Sequence, residues 1–526
     1  MRLFLKIVNI IFIVLTLIII GFILGRKYDF AFDDNDRLIG LQYSTNEQKI
    51  RRLVSLIDDQ YMEDINTDSL VDNAIHQIIG QLDPHSTYLT KKDLERVNQQ
   101  MSGSFNGLGI QIRKINDTLT ITQVLAESPN FSRLFMGDQI LKIDSIDILD
   151  LSVENSQTLI KESQNEKLNL TIQRNGFQME IEANKGKIPV PSVIASFMIQ
   201  PELGYIKLIR FAEQSAEEVH RALLKLNQNG MKSLVFDLRG NPGGIMKIGE
   251  LIADEFLTKN ELIVYTEDKE GKRKYTYATS RGLFEKGKIY VLIDEGSASA
   301  SEIVAGALQE YGRAILIGRR SYGKGLVQRE VNLGDGTRVR LTVAHYYTPS
   351  GRSIQRPYDE GNKAYSEDLY RRFRNGELYH KDSIKVNKDL VFITPSGKTV
   401  YGGGGIIPDE FIPVDTAQLK IWIMQHASTE GNLNFFYKEI IENQFNPLWM
   451  NENWFLTIYD IQPIFEKYIG TLGIRKEILS EEEERVIKNY IRSSFAEKLF
   501  GTEAMYRAWI QEDSMIQRVL ELENEN

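Results

Sequence analysis

The chain has 526 residues, of which 42% are hydrophobic and 26% charged, with a formal net charge of -9 and no cysteine. That length allows about three domains, and the composition is that of globular protein rather than of a disordered or fibrous chain. The negative balance argues against recognition of nucleic-acid phosphates, and the missing cysteines exclude disulfides, a lipid-bearing cysteine anchor and thiolate metal sites.

The apolar run Ile7 to Leu24 is interrupted only by Asn9, Thr16 and Gly21, with Arg2 and Lys6 before it and Arg26 and Lys27 after it. No small-x-small cleavage site follows Leu24, so residues 1–27 read as an uncleaved transmembrane anchor rather than a signal peptide. Basic residues on one side, and Asp29, Asp33, Asp34 and Asp36 soon after the other, place the bulk of the chain outside the cytoplasm.

A helical segment spans 40–100. Ile50, Leu53, Val54, Ile57 and Tyr61, then Leu70, Val71, Ala74, Ile75, Ile78 and Ile79, repeat at helical spacing and predict two packed helices. Leu82 to Leu89 (LDPHSTYL) breaks that pattern at Pro84, and His85 reads as structural because it is adjacent to Ser86 on a turn. Over 101–186, short strands alternate with one helix. They include Leu119 to Leu125, a helix near Val153 to Glu162, and a hairpin turning at Asn175-Gly176. Size and order fit a PDZ domain. Its glycine-flanked loop Gly107-Leu108-Gly109-Ile110 offers successive backbone N–H groups that could hold a peptide carboxylate.

The proline-bearing stretch 187–193 opens a core that runs to 415. Strands at Gly204 to Ile209 and Ser233 to Leu238 flank a helix from Ser215 to Asn227. Arg239-Gly240-Asn241-Pro242-Gly243-Gly244 is then a glycine-rich turn suited to an anion. Lys288 to Ile293 is a buried strand that hands over at Asp294 to a helix starting Ser297-Ala298-Ser299-Ala300-Ser301-Glu302. Free N–H groups gather at such a helix start, which is what a developing oxyanion needs. After the strand Ala314 to Ile317, Lys324 lies between Gly323 and Gly325, and a lysine buried there would lose its charge readily enough to act as a base. Two blander readings compete. Small residues at a helix start commonly serve capping and close packing. Gly318 to Lys324 also fits a phosphate loop, but Gly325 stands where a magnesium-binding Ser or Thr is required. A hairpin turns at Gly334-Asp335-Gly336-Thr337. The charged stretch 356–401 reads as a surface insertion, and 416–526 as a helical extension with a capping box at Ser480 and Glu483.

Gly296 to Gln309 (GSASASEIVAGALQ) followed by Tyr322 to Gln328 (YGKGLVQ) resembles the signature of the carboxy-terminal processing proteases, the PDZ-containing serine peptidases of family S41. The resemblance extends over about 46–415 and includes Arg239 to Gly244, Tyr347 to Gln355 (YTPSGRSIQ) and Gly402 to Asp409 (GGGGIIPD); Pro242 is a variant that leaves the glycine pair intact. It implies an α/β multidomain protein in which a PDZ domain precedes a protease core of the ClpP/crotonase kind. It further implies Ser299 as nucleophile, Lys324 as base, Gln328 orienting the lysine, and Gly244 with Ala300 as oxyanion donors. Gly107, Leu108, Gly109 and Ile110 would bind the substrate carboxylate.

The expected function is a serine endopeptidase of the bacterial inner membrane, its catalytic part in the periplasm, acting on proteins with exposed C-termini and needing no cofactor or metal. No H-E-x-x-H pattern is present to suggest zinc. A Ser-His-Asp triad using His345 and a catalytically silent PDZ scaffold are the alternatives. The extension could brace the core, contact another copy in a homo-oligomer or dock an adaptor protein, and the sequence leaves these three open.

Overall fold

The computed structural model describes residues 45–115, 117–125, 127–416, 429–443 and 446–525. The expected anchor over 1–27 lies outside them. Among the described residues no helix is long and apolar enough to cross a membrane.

The first compact unit ends at Ile78. It holds helices α1 (Thr45–Gln60) and most of α2 (Thr67–Ile79), and neither buries a residue. The expected pairing of two packed helices is therefore corrected. Their apolar stripes form, but Ile50, Leu53 and Tyr61 are each 55% exposed.

The second unit opens with β1 (Thr87–Leu89) and α3 (Lys91–Met101), which starts from a capping box at Thr90 and Asp93. A short ladder of β2 (Ser104–Gly107) with β9 (Gly186–Pro189) closes the base of a β-rich module. That module is an antiparallel sheet ordered β3 (Ile110–Ile115), β4 (Thr118–Val124), β5 (Gln139–Ile143), β7 (Lys167–Arg174) and β8 (Phe177–Asn184), with β6 (Ile146–Asp147) beside β5. Helix α4 (Val153–Glu162) packs beside β3, which is the sheet edge.

The core is a six-stranded sheet ordered β10 (Val193–Gln200), β11 (Leu203–Leu208), β12 (Ser233–Asp237), β15 (Lys288–Ile293), β16 (Ile315–Gly318) and β21 (Glu410–Phe411). All pairings from β11 onward are parallel. Both faces are covered, so β12 is buried along its whole length, and successive side chains serve opposite layers. Leu234 and Phe236 pack with Val219 and Leu223 of α5 (Ser215–Gln228), Ile252 of α6 (Met246–Asp254) and Val304 of α7 (Ala300–Glu310). Val235 lies in the opposite cluster. A second, antiparallel sheet runs β1, β18 (Arg338–Tyr347), β13 (Leu262–Asp268), β14 (Arg273–Tyr277), with β17 (Leu326–Asn332) hairpinned onto β18.

The charged stretch 356–401 is not a mere surface excursion. It forms α8 (Asn362–Ser366), α9 (Asp368–Arg374) and the hairpin of β19 (Val391–Ile393) with β20 (Thr399–Tyr401), and it buries Arg356, Tyr365, Arg372 and Glu377. The extension contains α10 (Thr429–Glu442), α11 (Glu452–Thr457), α12 (Gln462–Thr471), α13 (Glu481–Phe500), α14 (Thr502–Trp509) and α15 (Ser514–Asn524). The capping box at Ser480 and Glu483 opens α13 as the sequence indicates. Met515, Ile516, Val519 and Leu522 of α15 cover the sheet face that presents Val235, Tyr290 and Ile317, so the end of the extension braces the core. Asp513 caps α15 and pairs with Arg239 at 2.6 Å, tying the extension to the start of the glycine-rich turn.

Candidate active site

Three loops leave the carboxyl ends of the neighbouring parallel strands β12, β15 and β16, and they bring together residues distant in sequence. Such strand ends are where α/β sheets hold their ligands. The loop after β12 carries Pro242, Gly243 and Gly244, the loop after β15 carries Ser299 and leads into Ala300 at the start of α7, and the loop after β16 carries Lys324. All six line one cavity of about 500 Å³, together with Gln328 from β17 and the apolar side chains of Val97, Met101, Ile245, Met246, Ile303, Leu326 and Tyr346.

Ser299 is the residue before the first turn of α7 and has φ 54 and ψ -114. A non-glycine residue in that region stores about 1–3 kcal/mol of backbone strain, a pattern concentrated at functional sites. Its backbone N–H donates to Glu302 Oε2 at 2.9 Å and is thus already committed, while Ala300 follows as the first helical residue. Gly244 has φ 148 and is bridged to Phe211, whose carbonyl accepts from Ile245 N at 2.8 Å. A Cβ on Gly244 would run into that carbonyl, and one on Gly243 would lie 2.7 Å from Ser299 Cβ. The backbone approach here requires glycine.

Lys324 Nζ donates to Gln328 Oε1 at 2.8 Å, and Gln328 Nε2 donates to the His85 carbonyl at 2.5 Å. Burial, reinforced by Arg340, pushes the lysine below its ordinary pKa, with Asp83 and Glu302 acting the other way. A lysine poised in this manner can give up its proton and accept another, the requirement for a base beside a serine hydroxyl.

The carboxyl of Glu302, fully buried, ties the serine loop to the lysine loop. It accepts from Ser299 N and Lys324 N at 2.9 Å each, from Gly323 N at 2.7 Å and from Ser321 Oγ at 2.5 Å. Burial raises its pKa while these four bonds oppose the rise.

The segment containing His85, read in the sequence as structural, is built into this support. Asp83 accepts from the backbone N–H groups of His85 and Ser86 at 2.8 Å each, β1 pairs with β18, and Ser86 Oγ accepts from Thr342 N at 3.1 Å. His85 Nε2 is 2.8 Å from Tyr365 Oη. Burial, with Lys324 nearby, lowers the imidazole to about 4, so it is neutral at physiological pH. His345 lies in β18, in register with Glu267 and Leu326, and is absent from the cavity lining.

Gly107, Leu108, Gly109 and Ile110 do not line that cavity either. They form the turn from β2 into the edge strand β3. The Leu108 carbonyl accepts from Ser128 Oγ at 2.6 Å and Asn130 Nδ2 at 2.9 Å, and Gly109 has φ 68 with Ser128 directly against it. The loop is held by its carbonyl side, beside an open strand edge flanked by α4.

Residues 202–360 match the model of peptidase family S41, and residues 106–184 match that of the PDZ domain. The chain is 32% identical over 348 residues to the carboxy-terminal processing protease CtpB of Bacillus subtilis, covering 64% of this chain and 71% of that protein. The chain belongs to peptidase family S41. It is also 33% identical over 326 residues to a carboxy-terminal-processing protease of Bartonella bacilliformis, covering 59% of this chain and 75% of that protein.

Within this S41 peptidase Ser299, Ala300, Lys324, Gln328 and Gly244, the core residues singled out in the sequence, line one cavity. It missed Glu302, Asp83 and Arg372. Only Glu302 had a local signal, the S-x-x-E spacing of a capping box with Ser299.

Proposed function

We propose that the chain is a serine endopeptidase that captures the C-terminal tails of unfolded proteins and cleaves them with a Ser299–Lys324 dyad. The carrying observation is the lysine itself: Lys324 is buried, its pKa is lowered, Gln328 holds it, and it lines the same cavity as Ser299. In the reaction, Ser299 Oγ attacks the scissile carbonyl as Lys324 Nζ takes the hydroxyl proton. The N–H groups of Gly244 and Ala300 receive the resulting oxyanion. Collapse breaks the C–N bond, Lys324 returns the proton to the leaving amine, and an ester on Ser299 remains. Water then attacks that ester with Lys324 again as base, releasing a carboxylic acid product and the free serine.

Tail capture is assigned to Gly107, Leu108, Gly109 and Ile110, whose N–H groups would bind the terminal carboxylate while the tail pairs with the edge of β3. The apolar run Ile7 to Leu24 would hold the enzyme in the bacterial inner membrane with its catalytic part in the periplasm. The test is to trap the ester. An activated ester substrate should leave an acyl group on the peptide containing Ser299, read by mass spectrometry, in the wild type and not in Lys324→Ala. Labelling elsewhere, or undiminished labelling in Lys324→Ala, would contradict the proposal.

A further inference from the structure

The loop that carries Lys324 has little of its own to hold it still. Gly323 has φ 87 and Gly325 follows the lysine, so neither flank contributes a side chain to packing. Rigidity must come from outside: Tyr346 Oη donates to the Lys324 carbonyl at 2.7 Å and Gln355 Oε1 accepts from Gly325 N at 2.9 Å, and two charged groups hold the rest of the loop. Glu302 binds the amides of Gly323 and Lys324. The carbonyls just before them face Arg372, on α9 of the inserted stretch. Arg372 Nη1 donates to the carbonyls of Ser321 at 2.9 Å and Arg320 at 3.2 Å, and Nη2 to that of Tyr322 at 3.3 Å, with the side chain 4% exposed. Its Nε pairs with Asp368 at 2.9 Å.

The neighbours strengthen the clamp. Arg320 makes a double pair with Glu377 at 2.6 Å on both oxygens, and the Arg356 guanidinium lies 4.0 Å from the ring of Tyr322 and 3.8 Å from that of Tyr365. A buried guanidinium is retained only where carbonyls and carboxylates meet its fixed fork of donors. Here three consecutive carbonyls do so, immediately ahead of the glycine that precedes the lysine.

We propose that Arg372 is a positioning residue for Lys324, and that the inserted stretch 356–401 serves this chain as a clamp on its lysine loop. The inference rests on the Ser-Lys reading above. Lys324 is faced by Arg340 of β18, by Asp83 and His85 ahead of β1, and by Glu302 of α7. Releasing the clamp lets the loop and its lysine move toward water, where the ammonium is favoured. The acid limb of the pH–rate profile should therefore move to higher pH.

The experiment compares full-length wild type, Arg372→Met, Arg372→Lys and Lys324→Ala on an unfolded protein with an apolar tail. It measures kcat, KM, the pH profile of kcat/KM and the melting temperature. Arg372→Met should lose about 10- to 100-fold in kcat, the scale of a displacement near 1 Å in a catalytic group, with KM little changed and the acid limb raised. Arg372→Lys, keeping the charge without the fork, should fall between it and wild type.

A wild-type kcat and limb in Arg372→Met would overturn the inference, as would a loss that follows only the folded fraction with the limb unmoved. If Arg372→Met fails to fold, the limb of Arg372→Lys decides: raised supports the clamp, unmoved overturns it. Undiminished cleavage by Lys324→Ala would instead overturn the Ser-Lys reading itself, and the inference with it.

Discussion

Glu302 is the residue whose loss should be felt in both stability and rate. Its carboxylate accepts four hydrogen bonds with no exposure to water, so Glu302→Gln turns an amide NH2 toward groups that are themselves donors. The expected cost is about 2–3 kcal/mol by denaturant unfolding, with a fall in kcat because both loops lose their common anchor. Unchanged stability would contradict the hub. His85 gives a second test at this scale. With its pKa lowered to about 4 from 6.5, the unfolded chain binds the proton more readily between those values, so this group's contribution to stability is lost as pH falls through that window. NMR of the imidazole should show titration near 4; titration near 6.5 would mean His85 is open to solvent. Ser299 and Lys324 were legible in the sequence because each sits in a local pattern, a strand followed by a small-residue helix start and a strand followed by a glycine-flanked loop. The partners of His85 were not, because Tyr365 and Gln328 reach it from 280 and 243 residues away.

The elements of the core were legible where one face or both are apolar over several residues. β15 reads as a buried strand and β12 as a strand, and the hairpin of β17 with β18 reads from its glycine-rich turn. The inserted stretch reads as a surface insertion and most of it is exposed, but its charge gave no sign that Arg356 and Arg372 are buried, because charge ordinarily marks a solvated face. Its arginines are buried against carbonyls and carboxylates from Arg320, Ser321, Tyr322 and Asp368, pairings that no periodicity reports. The helices α1 and α2 carry the expected stripes, yet a stripe specifies what a helix could bury, not that it does so. Two substitutions separate bracing from chemistry. Ile516→Ala on α15, at 1% exposure, should cost about 2–4 kcal/mol by denaturant unfolding while leaving KM unchanged in the folded fraction. Gly244→Ala forces a Cβ into the Phe211 carbonyl and shifts the turn beside Ser299, so kcat should fall far more than tail binding does. Equal losses in both would show that the turn serves only the fold.

At the scale of the whole molecule, the PDZ domain and the cavity at Ser299 have separate linings. Capture and cleavage should therefore be separable. Ser299→Ala should bind a peptide with an apolar free C-terminus and fail to bind the same peptide amidated, by titration calorimetry; equal binding of both would exclude carboxylate recognition. The domain order could be read from the sequence because each domain carries its own motif. The bracing of the sheet by the end of the extension could not, since it depends on which face of α15 meets which face of a sheet formed some 200 to 300 residues earlier. The most direct test is the pH–rate profile for cleavage of an unfolded protein with an apolar tail by the full-length chain, beside Ser299→Ala and Lys324→Ala. The expected result is an acid limb below the ordinary lysine pKa in the wild type, with cleavage lost in both variants. Cleavage that persists in Lys324→Ala with the same limb would contradict the dyad.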